Sequence, residues 1–586
     1  MRTTPADKIR DYRSRGWWGD TRIHDMFDAN ARAHPQRPAV IDPPNRTELV
    51  GGAPLRLDFA AAAALADGYA LALLRHGLQP DDILVTQLPN IAEYVPLYIA
   101  ALRLGIVVSP VPMQFRSHEL GQIVRHTGAK AIITVDALKG VDHIGIALQL
   151  RAELAKAGVP FAVLSLRSAS ASPQTPEGAL PFEPIAMDAA ARTDLDRHVA
   201  AHPVDADDIA TICWTSGTEG TPKGVPRSHN HWRAISWAHL RGAGIREGDA
   251  LLNPFPLVNM AALGGCFMSW MHTAGTLILH HPFDLPTYFR QIAVERPAYA
   301  IAPPAVLNML LKNEEMLAKV DLSSLRCIGS GSAPLDPEMI QGYHDRFGIE
   351  ICNSFGSNEG VSLISNADNA PDPLRRARWF PRYGRDDIPW SSPQPVVIRT
   401  RVVDPESGTE ILGTDRPGEL QITGPTVFDG YHKAPHINAE AFTPDGWFRT
   451  GDLFELCGAD EGGPPRFYRF VGRLKQIIIR GGVKIAPEEL DNVLAQMPTV
   501  LDGAVCSYGD PVMGERICAV VVPRPGAEVT LESIASHFQA AGLALFKSPE
   551  RLRIVAQLPR NSVGKVLRGE LSRLASDEGG GAADGA

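Results

Sequence analysis

One segment, residues 209–224, limits more than any other what this chain can fold into. Residues 209–214 form a short apolar run, which predicts a buried strand. Hydroxyl residues, glycines and one lysine follow directly: Thr215, Ser216, Gly217, Thr218, Gly220, Thr221 and Lys223. Glycine lets backbone N–H groups turn toward an anion, hydroxyls add donors, and lysine adds a mobile positive charge. The segment therefore predicts a polyphosphate-binding loop at the end of a strand, although its spacing is not that of a Walker A motif.

Helices and strands alternate along the chain before this loop. The hydrophobic periodicity predicts, in order, helix 59–76, strand 83–88, helix 91–104, strand 106–111, helix 118–126 and strand 129–135. This alternation indicates an α/β body with largely parallel sheets. A chain of 586 residues is also too long for one core, and the pattern changes to a smaller unit near residue 476. We therefore predict a large domain over 1–474, a small C-terminal domain over 475–574 and a disordered tail over 575–586.

Charge and composition exclude several classes of partner. The formal net charge of −9 gives no electrostatic reason to expect a nucleic acid or an anionic membrane. No apolar run reaches the ~18 residues that span a bilayer, and the N-terminus lacks the apolar region of a secretory signal. Seven cysteines are scattered without C-x-x-C spacing, which favours buried free thiols in a reducing compartment. These observations predict a cytoplasmic protein.

Five further motifs follow the glycine-rich loop. They are Phe-Gly-Ser-Asn-Glu at 355–359, Pro-Gly-Glu-Leu at 417–420, Thr-Gly-Asp at 450–452, Gly-Arg-Leu-Lys at 472–475 and Asn-Ser-Val-Gly-Lys at 561–565. In this order the six motifs resemble the adenylate-forming superfamily of acyl-CoA synthetases, aryl-acid ligases and nonribosomal peptide adenylation domains. The resemblance implies an α/β fold, with a large N-terminal domain of mixed parallel sheets flanked by helices and a small mobile α+β C-terminal domain. It also implies an enzyme that activates a carboxylic acid with ATP and Mg²⁺ and transfers the acyl group to coenzyme A.

The resemblance also assigns roles to individual residues. The loop at 215–224 is expected to hold the β- and γ-phosphates of ATP. Glu359 is expected to bind Mg²⁺, because a hard cation prefers a carboxylate oxygen. The other expected nucleotide contacts are Gly331, Ser332, Ala333, Pro334, Phe355, Gly356, Asn358, Asp452 and Arg473.

Two lysines of the C-terminal region are expected to act in catalysis. Lys565 matches the family lysine that bridges the substrate carboxylate and the α-phosphate, where an ammonium offsets the repulsion of two anions. Lys475 falls at the family's hinge position. Rotation of the small domain about Lys475 is expected to replace Lys565 with the turn at Gly481 and Gly482, which would admit the pantetheine arm of CoA.

The chain departs from the family pattern at three positions. Asn358 replaces a threonine whose hydroxyl commonly contacts the α-phosphate, and an amide has a different reach. Gln476 stands where an acidic residue often follows the hinge. Asn259 stands where many relatives have an aromatic residue or histidine. An alternative prediction is therefore an enzyme specialised for the thioester half-reaction.

The expected acyl pocket contains several small residues. Its candidates are Trp237, Asn259, Met260, Gly264 and Gly329. Small side chains predict a roomy pocket for a cyclic, aromatic or bulky acid. Amino-acid adenylating domains carry Phe-Asp where this chain has Leu257, Val258 and Asn259, so an α-ammonium group would have no counter-ion and an amino-acid substrate is not expected.

Other functions and partners stay open from the sequence. The enzyme could load a separate carrier protein instead of CoA, and a homodimer is compatible with the chain. A P-loop ATPase would release inorganic phosphate instead of AMP, and the absent Walker A spacing opposes it. A non-catalytic nucleotide-binding protein is opposed by the presence of Lys223, Glu359, Asp452 and Lys565.

Overall fold

The described residues of this protein form two compact units. The computed structural model describes residues 1–166, 175–215, 222–331, 335–388, 390, 398–414, 416–459, 463–480, 483–510, 513–541, 543, 545–560 and 565–576. The N-terminal unit comprises Met1–Ala377, Pro389–Arg399 and Thr423–Phe448, and the C-terminal unit comprises Arg378–Ile388, Thr400–Ile422 and Arg449–Ala586. The division predicted between residues 474 and 475 stays a prediction.

A seven-stranded sheet of the N-terminal unit carries the glycine-rich loop. Its strands in spatial order are Lys223–Ser228, Ile209–Thr215, Val107–Pro110, Ile83–Gln87, Ala131–Thr134, Ala162–Leu166 and Leu180–Phe182. All neighbouring pairs are parallel except the first, which is antiparallel. The three central strands, Val107–Pro110, Ile83–Gln87 and Ala131–Thr134, are buried along their whole length, as expected of a parallel sheet that is covered on both faces.

An eight-stranded sheet forms the other half of this unit. Its strands in spatial order are Ser362–Ser365, Glu350–Gly356, Cys327–Gly331, Tyr299–Ile301, Ala250–Asn253, Thr276–Leu279, Pro38–Ile41 and Arg56–Asp58. The six inner strands run parallel and both edge strands are antiparallel to their neighbours. A short hairpin of Ala137–Leu138 and Val141–Asp142 lies outside both sheets. The α/β fold with largely parallel sheets is confirmed.

Helices connect the strands of the N-terminal unit. They are Ala6–Ser14, Ile23–Ala33, Arg46–Val50, Phe59–Arg75, Tyr94–Arg103, Ser117–Thr127, His143–Lys156, Ala189–Ala201, His229–Gly242, Met268–Thr273, Leu285–Glu295, Pro304–Lys312, Glu314–Leu317, Pro337–Phe347, Pro373–Arg378 and Pro435–Ala441. A π-helix, Ala261–Phe267, directly precedes Met268–Thr273. Three consecutive predicted helices, 59–76, 91–104 and 118–126, are present with ends shifted by a few residues.

The C-terminal unit holds most of a five-stranded sheet and a second, smaller sheet. The first has the order Trp379–Pro381, Pro465–Arg473, Phe448–Ala459, Gly418–Thr423 and Arg399–Val403. The second has the order Val483–Ile485, Ile478–Arg480, Gly514–Pro523 and Val500–Asp510, and Arg551–Ile554 also pairs with Gly514–Pro523. Its helices are Pro487–Leu494, Leu531–Ala540 and Arg568–Ser576, with single 3₁₀ turns at Leu474–Gln476 and Leu545–Lys547.

Three smaller sequence predictions can be compared with these elements. All seven cysteines are free, and six of them are buried, as predicted. Ala575 and Ser576, predicted to begin a disordered tail, belong instead to the last helix, where Ala575 is buried; residues 577–586 lie outside the described residues. No helix within the described ranges is both long enough and apolar enough to cross a lipid bilayer.

Candidate active site

Two antiparallel strands bracket the glycine-rich loop. Thr215, the last residue of Ile209–Thr215, pairs with Lys223, the first residue of the following strand. The predicted phosphate contacts between them, Ser216, Gly217, Thr218, Gly220 and Thr221, lie outside the described residues. Gly224 packs against Trp214, because a side chain added at Gly224 would lie 3.2 Å from the Trp214 ring. The described residues therefore place Lys223 at the base of the loop.

Tyr431 links Lys223 to the predicted metal ligand. The Lys223 ammonium lies 5.2 Å from the centre of the Tyr431 ring, within the range of a cation–π contact. The Tyr431 hydroxyl donates a hydrogen bond of 3.0 Å to Oε1 of Glu359. Burial and the neighbouring Glu359 carboxylate raise the pKa of Tyr431, so the phenol stays protonated and acts as a donor. Sequence reasoning missed this residue, since no motif singled it out.

A buried arginine holds the backbone on both sides of this contact. Arg227 is fully buried, and its guanidinium donates to the carbonyl oxygens of Asn358 and Thr426, each at 2.7 Å. Among the described residues, no carboxylate lies within ion-pair distance of Arg227. Burial lowers the pKa of Arg227 to about 10. The charge of Arg227 is therefore compensated by backbone dipoles, which keep Asn358 and the segment around Thr426 in place.

Asn358 connects the glycine-rich loop to the predicted acyl pocket. Its Nδ2 donates to the Trp214 carbonyl at 3.2 Å, and its Oδ1 accepts from the backbone N–H of Met260 at 2.9 Å. The family pattern led us to expect a contact with the α-phosphate at this position. One donor and the acceptor of the amide are instead used within the protein, so Asn358 ties two segments together.

Residues 4–18 at the N-terminus hydrogen-bond to the segment that precedes Tyr431. Thr4 and Lys8 donate to the carboxylate of Asp429, at 2.5 and 2.9 Å. The Trp18 indole donates to the Pro425 carbonyl at 3.2 Å. The Asp429 side chain is only 4% exposed, whereas the Lys8 side chain is 35% exposed, so solvent reaches the ammonium and not the carboxylate. Thr4, Lys8 and Trp18 thus hold residues 425–429, which precede Tyr431 in the chain.

Three of the predicted nucleotide contacts, Gly331, Phe355 and Gly356, lie at the ends of two neighbouring strands. Gly331 pairs with Ser354, and a side chain at Gly331 would lie 2.1 Å from the Ser354 carbonyl oxygen. Only glycine fits at this distance. Phe355 and Gly356 end the adjacent strand and keep accessible surface. Ser332, Ala333 and Pro334 lie outside the described residues.

The glycines of the predicted acyl pocket are packed against specific side chains. A side chain at Gly264 would lie 2.7 Å from the sulfur of Met260, and one at Gly329 would lie 2.2 Å from the Tyr299 hydroxyl. Small residues had predicted a roomy pocket at these points. The structure shows that the space beside them is taken by Met260 and Tyr299. Asn259 accepts a hydrogen bond from the backbone of Ala262 at 3.2 Å and so supports the start of the π-helix.

His239, which the sequence did not single out, lies against Tyr299 and Gly265. His239 Nε2 lies 3.2 Å from the Tyr299 hydroxyl, and a side chain at Gly265 would lie 2.9 Å from the same nitrogen. Trp237 lies about 200° away around the helix. It packs on His272, with ring centres 4.4 Å apart. The structure therefore does not place Trp237 against Gly264 or Gly329.

The C-terminal unit brings three of the predicted residues together. Asp452 and Arg473 are cross-strand partners, and the Arg473 Nε lies 3.1 Å from an Asp452 oxygen. Burial, and after it the positive charge of Arg473, lower the pKa of Lys565 to about 8, while Asp452 and Glu488 oppose the shift. Lys565 thus lies within electrostatic reach of Asp452 and Arg473, two of the predicted nucleotide contacts.

The other predicted residues of this unit, Lys475, Gly481 and Gly482, lie in the sequence near the start of its smaller sheet. Lys475 lies in the single 3₁₀ turn Leu474–Gln476, and its side chain lies outside the described part of the structure. Gly481 and Gly482 are also outside it. The strands on either side of these glycines are paired, with Arg480 opposite Val483.

Comparison with known families identifies the fold. Residues 27–432 match the family model described as AMP-binding enzyme, and residues 489–565 match the model of the AMP-binding enzyme C-terminal domain. This chain belongs to the AMP-binding enzyme family. The predicted membership in the adenylate-forming superfamily is confirmed.

Relatives and solved structures agree with this assignment. A 2-hydroxy-7-methoxy-5-methyl-1-naphthoate–CoA ligase of Streptomyces carzinostaticus is 29% identical over 565 residues, which cover 96% of this chain and 94% of the relative. A salicylyl-CoA synthase / salicylate adenylyltransferase of Streptomyces sp. is 29% identical over 568 residues, covering 96% and 95%. The ATP-bound crystal structure of MatB from Rhodopseudomonas palustris superimposes with a TM-score of 0.72 at 25% identity, covering 95% and 99%. This AMP-binding enzyme is an acid–CoA ligase of the acyl-CoA synthetase and aryl-acid ligase branch.

The donor set around Glu359 fits a metal ion that is held mainly by its nucleotide. Within the described ranges, no group of three or more His, Cys, Asp or Glu side chains is arranged to hold a metal. Mg²⁺ in nucleotide enzymes is usually bound by one or two carboxylates together with substrate phosphates. Glu359, whose Oε1 accepts a hydrogen bond from Tyr431, would supply such a carboxylate.

Proposed function

We propose that this AMP-binding enzyme activates an aromatic carboxylic acid as its acyl-adenylate and transfers the acyl group to CoA. The match of both family models over most of the chain carries this proposal. The aromatic character of the acid is supported by the two relatives named above, which are a naphthoate–CoA ligase and a salicylyl-CoA synthase. The apolar side chain of Met260, which lies against Gly264 and keeps accessible surface, also suits a planar apolar ring.

The proposed reaction places negative charges next to one another. The substrate carboxylate attacks the α-phosphorus of ATP, the bond to the β-phosphate oxygen breaks, and pyrophosphate leaves. The thiol of CoA then attacks the acyl carbon of the mixed anhydride, and AMP leaves. In the first step Lys223 would neutralise the phosphates and Lys565 would reduce the repulsion between the carboxylate and the α-phosphate.

We assign Mg²⁺ to Glu359 within this proposal. When bound, the ion would neutralise charge that develops on the leaving pyrophosphate. Tyr431 would hold the Glu359 carboxylate in one rotamer, and Arg227 would hold the backbone that carries it. Asp452 and Arg473 would bind the ribose, which fixes the α-phosphate relative to Lys565.

Release of AMP from ATP tests the proposed function directly. We expect AMP and pyrophosphate when the enzyme is incubated with ATP, Mg²⁺, CoA and a panel of benzoic, salicylic and naphthoic acids, with the acyl-CoA product identified by mass spectrometry. Replacement of CoA by a phosphopantetheinylated carrier protein tests the alternative acceptor. Release of inorganic phosphate without AMP, or no acid-dependent turnover with any member of the panel, would contradict the proposal.

A second candidate, an enzyme specialised for the thioester half-reaction, is favoured by the contacts of Asn358. One amide donor and the amide oxygen of Asn358 are bonded to the backbone of Trp214 and Met260, which leaves one N–H for the α-phosphate. Acid-dependent exchange of pyrophosphate into ATP measures the adenylation step by itself. Exchange as fast as overall turnover would exclude this candidate.

A further inference from the structure

The hydrogen-bonded pair of His239 and Tyr299 lies below the strand ends that carry the predicted nucleotide contacts. Tyr299 contacts the backbone at Gly329, and Gly329 pairs with Cys352 in the next strand. That strand continues from Cys352 to Gly356 at its end, a rise of about 13 Å at about 3.3 Å per residue. The pair is therefore separated from the strand ends by the depth of a one- or two-ring acid.

Several residues near the pair and at the strand ends are not fully buried. His239 lies so deep that burial lowers its pKa to about 4, yet part of its surface remains accessible. Asn259, Met260, Gly331 and Phe355 also keep accessible surface although their elements belong to the interior. An acid bound between the strand ends and His239 would cover this accessible surface.

The His239–Tyr299 pair retains unused hydrogen-bonding capacity. Within the described residues, each of the two side chains makes a single hydrogen bond, which is the one between them. A neutral imidazole carries one donor and one acceptor, and a phenol carries a donor and two lone pairs. Whichever of the two groups donates within the pair, one donor and at least one acceptor are left over.

The surroundings of the pair are electrically neutral. Desolvation is the whole cause of the lowered pKa of His239, and no charged side chain contributes to it. Tyr299 is 1% exposed. A charged substituent placed here would lose its hydration without gaining a counter-ion, which costs far more than burying a hydroxyl that is hydrogen-bonded.

We infer that the His239–Tyr299 pair is the specificity-determining end of the acyl pocket, and that it selects an aromatic acid with a neutral hydrogen-bonding substituent, such as a hydroxyl, opposite the carboxylate. This inference rests on the proposed function, which places the reacting carboxylate near Phe355 and Glu359. An apolar substituent would leave the pair without a partner. A second carboxylate would be rejected for lack of a counter-ion.

Matched acids test the inference. The acids are 4-hydroxybenzoic against 4-methylbenzoic acid and 6-hydroxy-2-naphthoic against 6-methyl-2-naphthoic acid, with terephthalic acid as the charged member. A hydroxyl and a methyl group are similar in size, so the comparison isolates hydrogen bonding. In pyrophosphate exchange we expect kcat/KM to be about 10- to 100-fold higher for the better hydroxylated acid than for its methyl partner, with no measurable exchange for terephthalic acid.

Variants assign the preference to the pair. Tyr299→Phe and His239→Leu should each reduce the hydroxyl preference to less than about threefold, chiefly by lowering kcat/KM for the hydroxylated acid. His272→Gln is the matched control, because His272 is a second half-buried histidine with a pKa of about 4, and it is bonded to Ser236 of the helix that carries His239 and not to Tyr299. Its hydroxyl preference should equal that of the wild type.

Three outcomes would overturn the inference without touching the proposed function. They are equal kcat/KM for hydroxylated and methylated acids in the wild type, a preference that survives both variants, and efficient exchange with terephthalic acid. The absence of exchange with every acid would instead refute the proposed function. Thermal melting and ATP binding show whether each variant is folded, and His239→Leu tests the pair from the helix if Tyr299→Phe does not fold.

Discussion

Replacement of Tyr431 by phenylalanine should separate the positioning of Glu359 from the packing of the site. The change removes the hydroxyl that donates to Glu359 at 3.0 Å and keeps the ring under the Lys223 ammonium. A hydrogen bond to a charged group contributes about 1.5–3 kcal/mol. Because the Glu359 side chain is half-buried, water can replace part of the bond, and we expect the lower end of that range. About 1.5–2 kcal/mol corresponds to a roughly 10- to 30-fold loss.

Pyrophosphate exchange at varied free Mg²⁺ is the assay for this variant. Tyr431→Phe should lower kcat/KM for ATP by that factor and raise the Mg²⁺ concentration needed for half-maximal exchange, since Glu359 would sample several rotamers. Its free energy of unfolding in urea should fall by no more than about 1 kcal/mol. Thioester formation from supplied acyl-adenylate should be almost unchanged.

Tyr343→Phe is the matched control for Tyr431→Phe. The Tyr343 hydroxyl donates to the Leu307 carbonyl at 3.2 Å in a separate core. This variant should lose about 1 kcal/mol of stability and keep the wild-type dependence on Mg²⁺. If Tyr431→Phe and Tyr343→Phe exchange pyrophosphate equally well with the same Mg²⁺ dependence, the reasoning about Glu359 is refuted.

Three further predictions concern Lys565 and Arg227. Lys565→Ala should abolish acyl-adenylate formation while thioester transfer from supplied acyl-adenylate largely survives; equal loss of both half-reactions would mean that its role is misplaced. Because burial lowers the pKa of Lys565 to about 8 and the charged ammonium is the active form, kcat/KM for ATP in pyrophosphate exchange should fall above about pH 8, with a slope approaching tenfold per pH unit. A flat profile to pH 9.5 would show that the ammonium is not required. Arg227→Met should leave the carbonyls of Asn358 and Thr426 unpaired and lower the free energy of unfolding in urea by about 2–5 kcal/mol, with Arg227→Lys intermediate; an unchanged urea midpoint would contradict the assigned role of Arg227.

Local sequence patterns predicted the family and the succession of helices and strands along the chain. The run at 209–214 is a strand because its residues are apolar and bounded by glycine and hydroxyl residues. Asp336 and Pro337 begin a helix, as their types predict, since the Asp336 side chain accepts from the Glu338 backbone. Such features depend on neighbours in the sequence, and the same holds for the six ordered motifs that indicated the superfamily.

The contacts that complete the site depend on the tertiary structure. Tyr431 reaches Glu359 across 72 positions of the chain, and His239 reaches Tyr299 across 60. No periodicity or spacing relates residues so far apart. The small residues at 264 and 329 suggested open space, but a glycine is required equally where another side chain lies against the backbone. Which side chain fills that space is decided by the packing of neighbouring strands and helices, and therefore only by the folded molecule.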